Sequence, residues 1–121
     1  MKEHVLVTGG AGMIGSNLVK RLVSDGYVVS VADNLWRGKI EYLNDSYGKS
    51  VIDLNSHFFK VDLSQIGTFD NLLNGVDYVI HLADIVAGIK YVFNNEGSIF
   101  RQNMLINSNI ITTCRQHHLR F

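Results

Sequence analysis

Residues 4–8, His-Val-Leu-Val-Thr, form a short and mostly apolar run directly ahead of a cluster of glycines. Such a run suits a strand buried in a parallel sheet. From residue 13 to residue 24 the period changes. Ile14, Leu18 and Leu22 recur every four positions, with Val19 and Val23 beside them, which predicts a helix. Asp25-Gly26 stops that helix. The alternation then repeats. Residues 27–32 read as a second, β-branched strand ending at Asp33, residues 34–38 as a loop, and residues 39–44 as a short helix. Residues 45–50 are polar and expected on the surface. Residues 57–61 read as a third strand, 65–73 as a weak helix closed by Asn74-Gly75, and 77–82 as a fourth strand. Residues 83–97 suit a long loop or a broken helix. Residues 98–118 suit a long amphipathic helix with Ser98 as its N-cap. Leu119, Arg120 and Phe121 resemble the first step of a fifth strand.

Strands alternating with helices predict an α/β fold with a parallel sheet and helices on both faces. In a doubly wound sheet of order 3-2-1-4-5-6, strand four pairs with strand five. Here the chain stops where strand five starts, so strand four, with Tyr78, Val79, Ile80 and Leu82, is expected to be an open edge. The last helix is expected to leave part of its apolar side uncovered, through Phe100, Met104, Ile110, Ile111 and Cys114. Both features predict that the isolated chain self-associates or stays only partly ordered, and a homo-oligomer is expected.

Composition narrows the functional classes. The chain has 121 residues, enough for one domain, with 46% hydrophobic and 18% charged. Eleven basic residues balance eleven acidic ones, so there is no electrostatic case for nucleic acid or an anionic membrane as partner. No apolar run approaches the roughly 20 residues of a membrane helix, and the first residues lack the features of a secretory signal. Cys114 is the single cysteine and reads as a small core residue, which suits a reducing, cytoplasmic setting.

The chemistry concentrates in the first glycine cluster. Gly9, Gly12 and Gly15 are spaced Gly-x-x-Gly-x-x-Gly between a predicted strand and a predicted helix. Small residues are needed there for a tight reversal, for close approach of backbone to a pyrophosphate, and for close packing of helix on sheet. The first N–H groups of the helix, near Met13 and Ile14, then face the anion. A P-loop is excluded, because Ser16-Asn17 stands where Lys-Ser/Thr must carry phosphate and magnesium. Asp33 lies eighteen positions beyond Gly15, where a carboxylate accepts hydrogen bonds from the adenosine ribose hydroxyls. It would repel a 2′-phosphate by about 3 kcal/mol at about 5 Å and an effective dielectric near 20, which favours NAD over NADP. Arg37 lies close enough to counter that preference, and it also reads as a solvated surface charge. Trp36 suits either a cover for adenine or a surface position. The chain is therefore expected to be the N-terminal part of a Rossmann-type domain, with about four strands.

Val7-Thr8-Gly9-Gly10-Ala11-Gly12-Met13-Ile14-Gly15-Ser16 resembles the start of the extended short-chain dehydrogenases/reductases, the nucleotide-sugar epimerases and dehydratases. Asp33-Asn34-Leu35 with Arg37-Gly38 looks like the second-strand end of UDP-glucose 4-epimerase-like members. By the same resemblance Asp62-Leu63 would contact adenine. Leu82-Ala83 after His81 would lie along the cofactor, and Asn103 would stand near the start of the next helix. Asp84 departs from the family's second alanine. The stretch Ile85-Val86-Ala87-Gly88-Ile89 is similar to GDP-mannose 3,5-epimerase and GDP-fucose synthase, so Gly88 would face a nucleotide-sugar substrate. The resemblance implies NAD as cofactor and transient hydride transfer at a sugar carbon.

The family's catalytic tyrosine stands four residues before a lysine. Here Tyr27, Tyr42, Tyr47, Tyr78 and Tyr91 are followed at that distance by Val31, Ser46, Val51, Leu82 and Asn95. No catalytic residue and no metal site is expected in these 121 residues; the rest of the binding domain and a substrate domain are expected outside them. A stand-alone, non-catalytic NAD-binding or sensing module is the alternative, and a flavin or other nucleotide on the same fold is a third. Adjacent His117 and His118 point in different directions on a helix and suit a surface end. His81 suits a local hydrogen bond.

Overall fold

A computed structural model describes residues 2–85 and 88–119. Strands β1 (His4–Thr8), β2 (Val28–Asp33), β3 (Phe58–Lys60) and β4 (Tyr78–His81) form one parallel sheet of order β3-β2-β1-β4. β1 lies between partners on both sides, Leu6 pairing with Ser30 of β2 and with Val79 of β4. That central place explains its nearly unbroken apolarity, since both faces are covered.

Alternate residues of each strand feed two separate cores. Val5, Val7, Val29 and Val31 point to one face, where they pack with Val19 of helix α1 (Met13–Ser24) and with Leu43 and Ile52. Leu6, Ala32 and Val79 point to the other, against Leu63, Phe69 and Leu73 and against Ile106, Ile110 and Cys114 of helix α3 (Glu96–Gln116). The connections from β1 to β2 and from β2 to β3 lie on the first face and those after β3 on the second, which makes the sheet doubly wound.

Several expectations change. Residues 65–73 form successive turns instead of a helix. Phe69, Leu72 and Leu73 have helical spacing and are buried. However, Gly67 takes the left-handed conformation at φ +84°, and the turns close through three-residue bonds such as Asp70 N–H to the Gly67 carbonyl. α3 starts two residues before Ser98, its N-cap position falls on Asn95, and no side chain caps it. Residues 83–97 hold a short helix, α2 (Ile89–Asn94), so the broken-helix alternative describes this region. Within α1, Ile14 is 77% exposed, because the buried stripe runs through Gly15, Ser16 and Val19. Ile110 and Cys114 are wholly buried against the sheet, while Phe100, Met104 and Ile111 on the outer side of α3 are exposed. α3 thus carries two apolar stripes, one on the sheet and one facing solvent. β4 is an edge of the sheet among the described residues. Arg120 and Phe121, the expected opening of a fifth strand, lie outside those residues, as do Val86 and Ala87. Among the described residues no helix is long and apolar enough to cross a membrane.

Candidate functional site

At the C-terminal ends of the strands, the chain leaves β1 toward one face of the sheet and leaves β4 toward the other. The cleft between those departures is where ligands bind in open α/β sheets. Its floor is the glycine turn. Gly9 has φ +70°, and a Cβ there would stand 2.9 Å from the Ala83 nitrogen and from the Leu82 carbonyl carbon. Backbone of the turn and backbone following β4 therefore touch directly. A Cβ on Gly15 would collide with the Gly9 carbonyl oxygen, so this glycine seats α1 close on the turn. Gly12 is less confined: its Cβ would meet only the Gly9 oxygen, at 3.3 Å, and it borders the cleft. The N–H groups of Met13, Ile14 and Gly15 have no acceptor among the described residues. Orphan donors at a helix start, reached by a turn without side chains, make an anion cradle.

Asp33 ends β2 and is 8% exposed. One carboxylate oxygen accepts the Ala11 N–H at 3.0 Å and the other the Leu35 N–H at 2.8 Å. The carboxylate thus braces the glycine turn as well as facing the cleft. Asn34 Oδ1 accepts the Trp36 N–H, and Leu35 takes φ 61° between these two turns. The loop is fastened again at its far end, where Gly38 lies against Ala11 and Lys39 donates to the Ala11 carbonyl at 3.0 Å. Arg37, on this loop, is exposed and has no carboxylate partner among the described residues.

The opposite wall is held by side chains. The Thr8 hydroxyl oxygen accepts the Leu82 and Ala83 N–H groups at 3.0 and 3.1 Å and lies 2.6 Å from His81 Nδ1. His81 Nε2 is 2.8 Å from Asn107 Oδ1, so the histidine serves a local network. Asn103 Oδ1 accepts the Ile85 N–H at 2.8 Å, and Asn109 donates to the Leu63 carbonyl at 3.1 Å. Three asparagines on α3 thereby pin the end of β4 and the segments that follow β3 and β4. Asp62 is exposed at the mouth. Hydrogen bonds, that of the Ser64 hydroxyl above all, hold its carboxyl below the usual carboxylate value.

The structure brings Gly9, Gly12, Asp33, Asn34, Arg37, Asp62, Leu63, Leu82 and Ala83 together around one cleft. Gly15 lies beneath it. Met13 and Ile14 can serve only through backbone, their side chains being 77% exposed. Asn103 braces Ile85 from behind. Gly88 is exposed at the N-cap of α2, with open space around it. Sequence reasoning assigned no role to Gly38, Thr8, Asn107 or Asn109. The i, i+4 spacing of Asn103 and Asn107 was the available signal for a polar face on that helix. Asp84, Ile85 and Ile106 also line the cleft. Among the described residues no cluster of His, Cys, Asp or Glu could hold a metal ion.

A 3-2-1-4 parallel sheet with a side-chain-free turn under the first helix defines a dinucleotide-binding α/β domain. Residues 5–121 match the NAD dependent epimerase/dehydratase family, and the chain belongs to that family. It is 32% identical over 111 residues to a UDP-N-acetyl-alpha-D-glucosaminuronate decarboxylase of Bacillus cytotoxicus, covering 92% of this chain and 32% of that protein. It is 30% identical to GDP-mannose 3,5-epimerase 1 of Oryza sativa subsp. japonica, covering 94% and 28%. The solved UDP-glucose 4-epimerase of Thermus thermophilus, in complex with NAD, superposes with a TM-score of 0.77 at 34% identity, covering 96% of this chain and 35% of that one. The chain thus spans about a third of the length of these relatives.

Proposed function

We propose that this chain is the NAD-holding segment of a nucleotide-sugar epimerase or dehydratase. The observation that carries this reading is the pairing of the anion cradle at Gly9–Gly15 with the buried carboxylate of Asp33 across the same cleft. The N–H groups of Met13, Ile14 and Gly15 would receive the pyrophosphate, with Gly12 leaving room for it. Asp33 retains lone pairs for the adenosine ribose hydroxyls, and Asn34 and Arg37 flank them. Asp62 and Leu63 would border adenine. Leu82 and Ala83 would lie along the middle of the dinucleotide, with Asn103 positioning that segment. When bound, NAD supplies reversible hydride acceptance from a sugar carbon; the residues of this chain bind and orient it.

The named relatives act on UDP- and GDP-linked sugars, which supports a nucleotide sugar as substrate, with Gly88 facing it. A homo-oligomer belongs to the same reading, supported by the exposed stripe Phe100, Met104 and Ile111 on α3; so does a cytoplasmic setting, supported by the single buried thiol. Calorimetric titration with NAD and NADP at one salt concentration tests the central claim. NAD binds more tightly, and equal or tighter binding of NADP overturns it. A non-catalytic NAD-binding module is the second reading, favoured by the absence of a tyrosine with a lysine four residues on. On either reading these 121 residues alone bind without turnover. Activity in a homogeneous preparation of verified mass would contradict that.

A further inference from the structure

The geometry points to an aromatic latch, Trp36 with Tyr91, that closes over the cleft and slows departure of the bound dinucleotide. The inference rests on the cofactor reading above. Trp36 lines the cleft on a loop fixed at both ends to the glycine turn, by Asp33 with Ala11 and by Lys39 with Ala11. Its backbone N–H is taken by Asn34, so the loop holds its shape without help from the indole. The indole is nevertheless only half covered, at 47% exposure, and it leans toward the far wall. There it meets Tyr91, with ring centroids 5.5 Å apart and planes inclined at 55°.

Tyr91 belongs to α2, a six-residue helix with no buried residue that packs on α3. The ring pair therefore bridges the loop after β2 and the helix after β4, elements that leave the sheet toward opposite faces. A tilted aromatic pair is strong enough to bias a local closure and weak enough to open. Trp36 lines the cleft that runs from Asp33 to Ala83, so a ligand lying there would border the indole that the pair holds in place. Nothing in the packing of either core requires an aromatic residue at either position.

The test is the release of preloaded NADH from the purified protein after mixing with excess NAD, followed by stopped-flow fluorescence. Trp36→Leu and Tyr91→Leu should each speed release about 3- to 10-fold, with the association rate little changed. The double variant should release no faster than the faster single one. Trp36→Phe and Tyr91→Phe, which keep a ring, should stay close to the unaltered protein. Unchanged release in the leucine variants, or effects that multiply in the double variant, overturns the latch while leaving the cofactor reading intact. If the unaltered protein does not bind NADH at all, both fall together.

Discussion

On the wall built from residues 9–15 and 33–39, position is set by what cannot fit: Gly9, Gly15 and Gly38 each lie where a Cβ would run into backbone. On the opposite wall, residues 81–85 are held by what reaches in, through Thr8, Asn103 and Asn107. The first wall is set chiefly by backbone packed on backbone, with the Asp33 carboxylate as its main side-chain brace. The second depends mainly on side-chain hydrogen bonds, which a substitution can remove without forcing atoms into one another. The difference matches the demands on them. A pyrophosphate is the same in every dinucleotide, whereas on the proposed reading the segments after β4 would also border whatever the dinucleotide acts on.

The sharpest way to break this comparison is Gly15→Val. The new side chain would collide with the Gly9 carbonyl, and we expect about 3–5 kcal/mol of lost stability by urea unfolding. A variant as stable as the unaltered protein would show that the turn can yield, and the contrast between walls would fail. Gly12→Val separates site from scaffold. Its Cβ has 3.3 Å to its nearest neighbour, so folding should cost no more than about 1–2 kcal/mol, while NAD binding should be abolished. A folded variant by circular dichroism that still binds NAD normally would misplace the phosphate.

Asp33→Ala tests the main side-chain brace of the first wall. It leaves the Ala11 and Leu35 N–H groups without their acceptor, at about 1–3 kcal/mol, and it should narrow the gap between NAD and NADP affinity in the same titrations. On the second wall, Asn107→Ala should cost only about 1 kcal/mol and leave NAD affinity nearly unchanged. A loss matching that of Asp33→Ala would make the two walls equivalent.

The smallest effect lies away from both walls. At the opposite end of the sheet, His4 packs edge-on against His57 and lies 2.6 Å from the Ser30 hydroxyl. Burial lowers its pKa below 6.5, helped by the neighbouring His57 and opposed by Asp77. The folded state therefore disfavours protonation of this ring. Its contribution to stability is fully present above about pH 6.5 and is lost as pH falls through the lower folded value. The urea midpoint should drop between about pH 7.5 and about pH 5.5, and His4→Gln should flatten that drop. An identical drop in the variant would assign it to another group.

The same division governs how much could be read from the chain. β1, α1 and β2 are legible to within a residue, because glycine spacing, strand apolarity and the Asp33 terminus are each demanded by sterics or charge at fixed positions. The region after residue 60 is harder. Phe69, Leu72 and Leu73 mimic a helix because both a helix and a chain of turns can present residues three and four apart to one core. The start of α3 departs from the expected one because Asn94, Asn95 and Gly97 read as loop residues, whereas only Asn95 interrupts the helical path. Ile110 and Ile111 are neighbours in sequence and opposites in burial, and hydropathy alone does not separate two apolar stripes on one helix. The ties from Asn107 and Asn109 depend on tertiary approach, which no local pattern encodes.

Contact between Gly9 and the Leu82–Ala83 backbone has a thermodynamic consequence. The floor of the cleft joins chain segments more than seventy residues apart, so it exists only when β4 is docked beside β1. A dinucleotide lying there acts as a reversible cross-link between the two ends of the fold. It has no comparable site on the unfolded chain, and by mass action it stabilises the whole domain by about 2.7 kcal/mol at a hundredfold excess over its dissociation constant. The melting temperature of this protein is accordingly a property of the protein together with its ambient cofactor concentration.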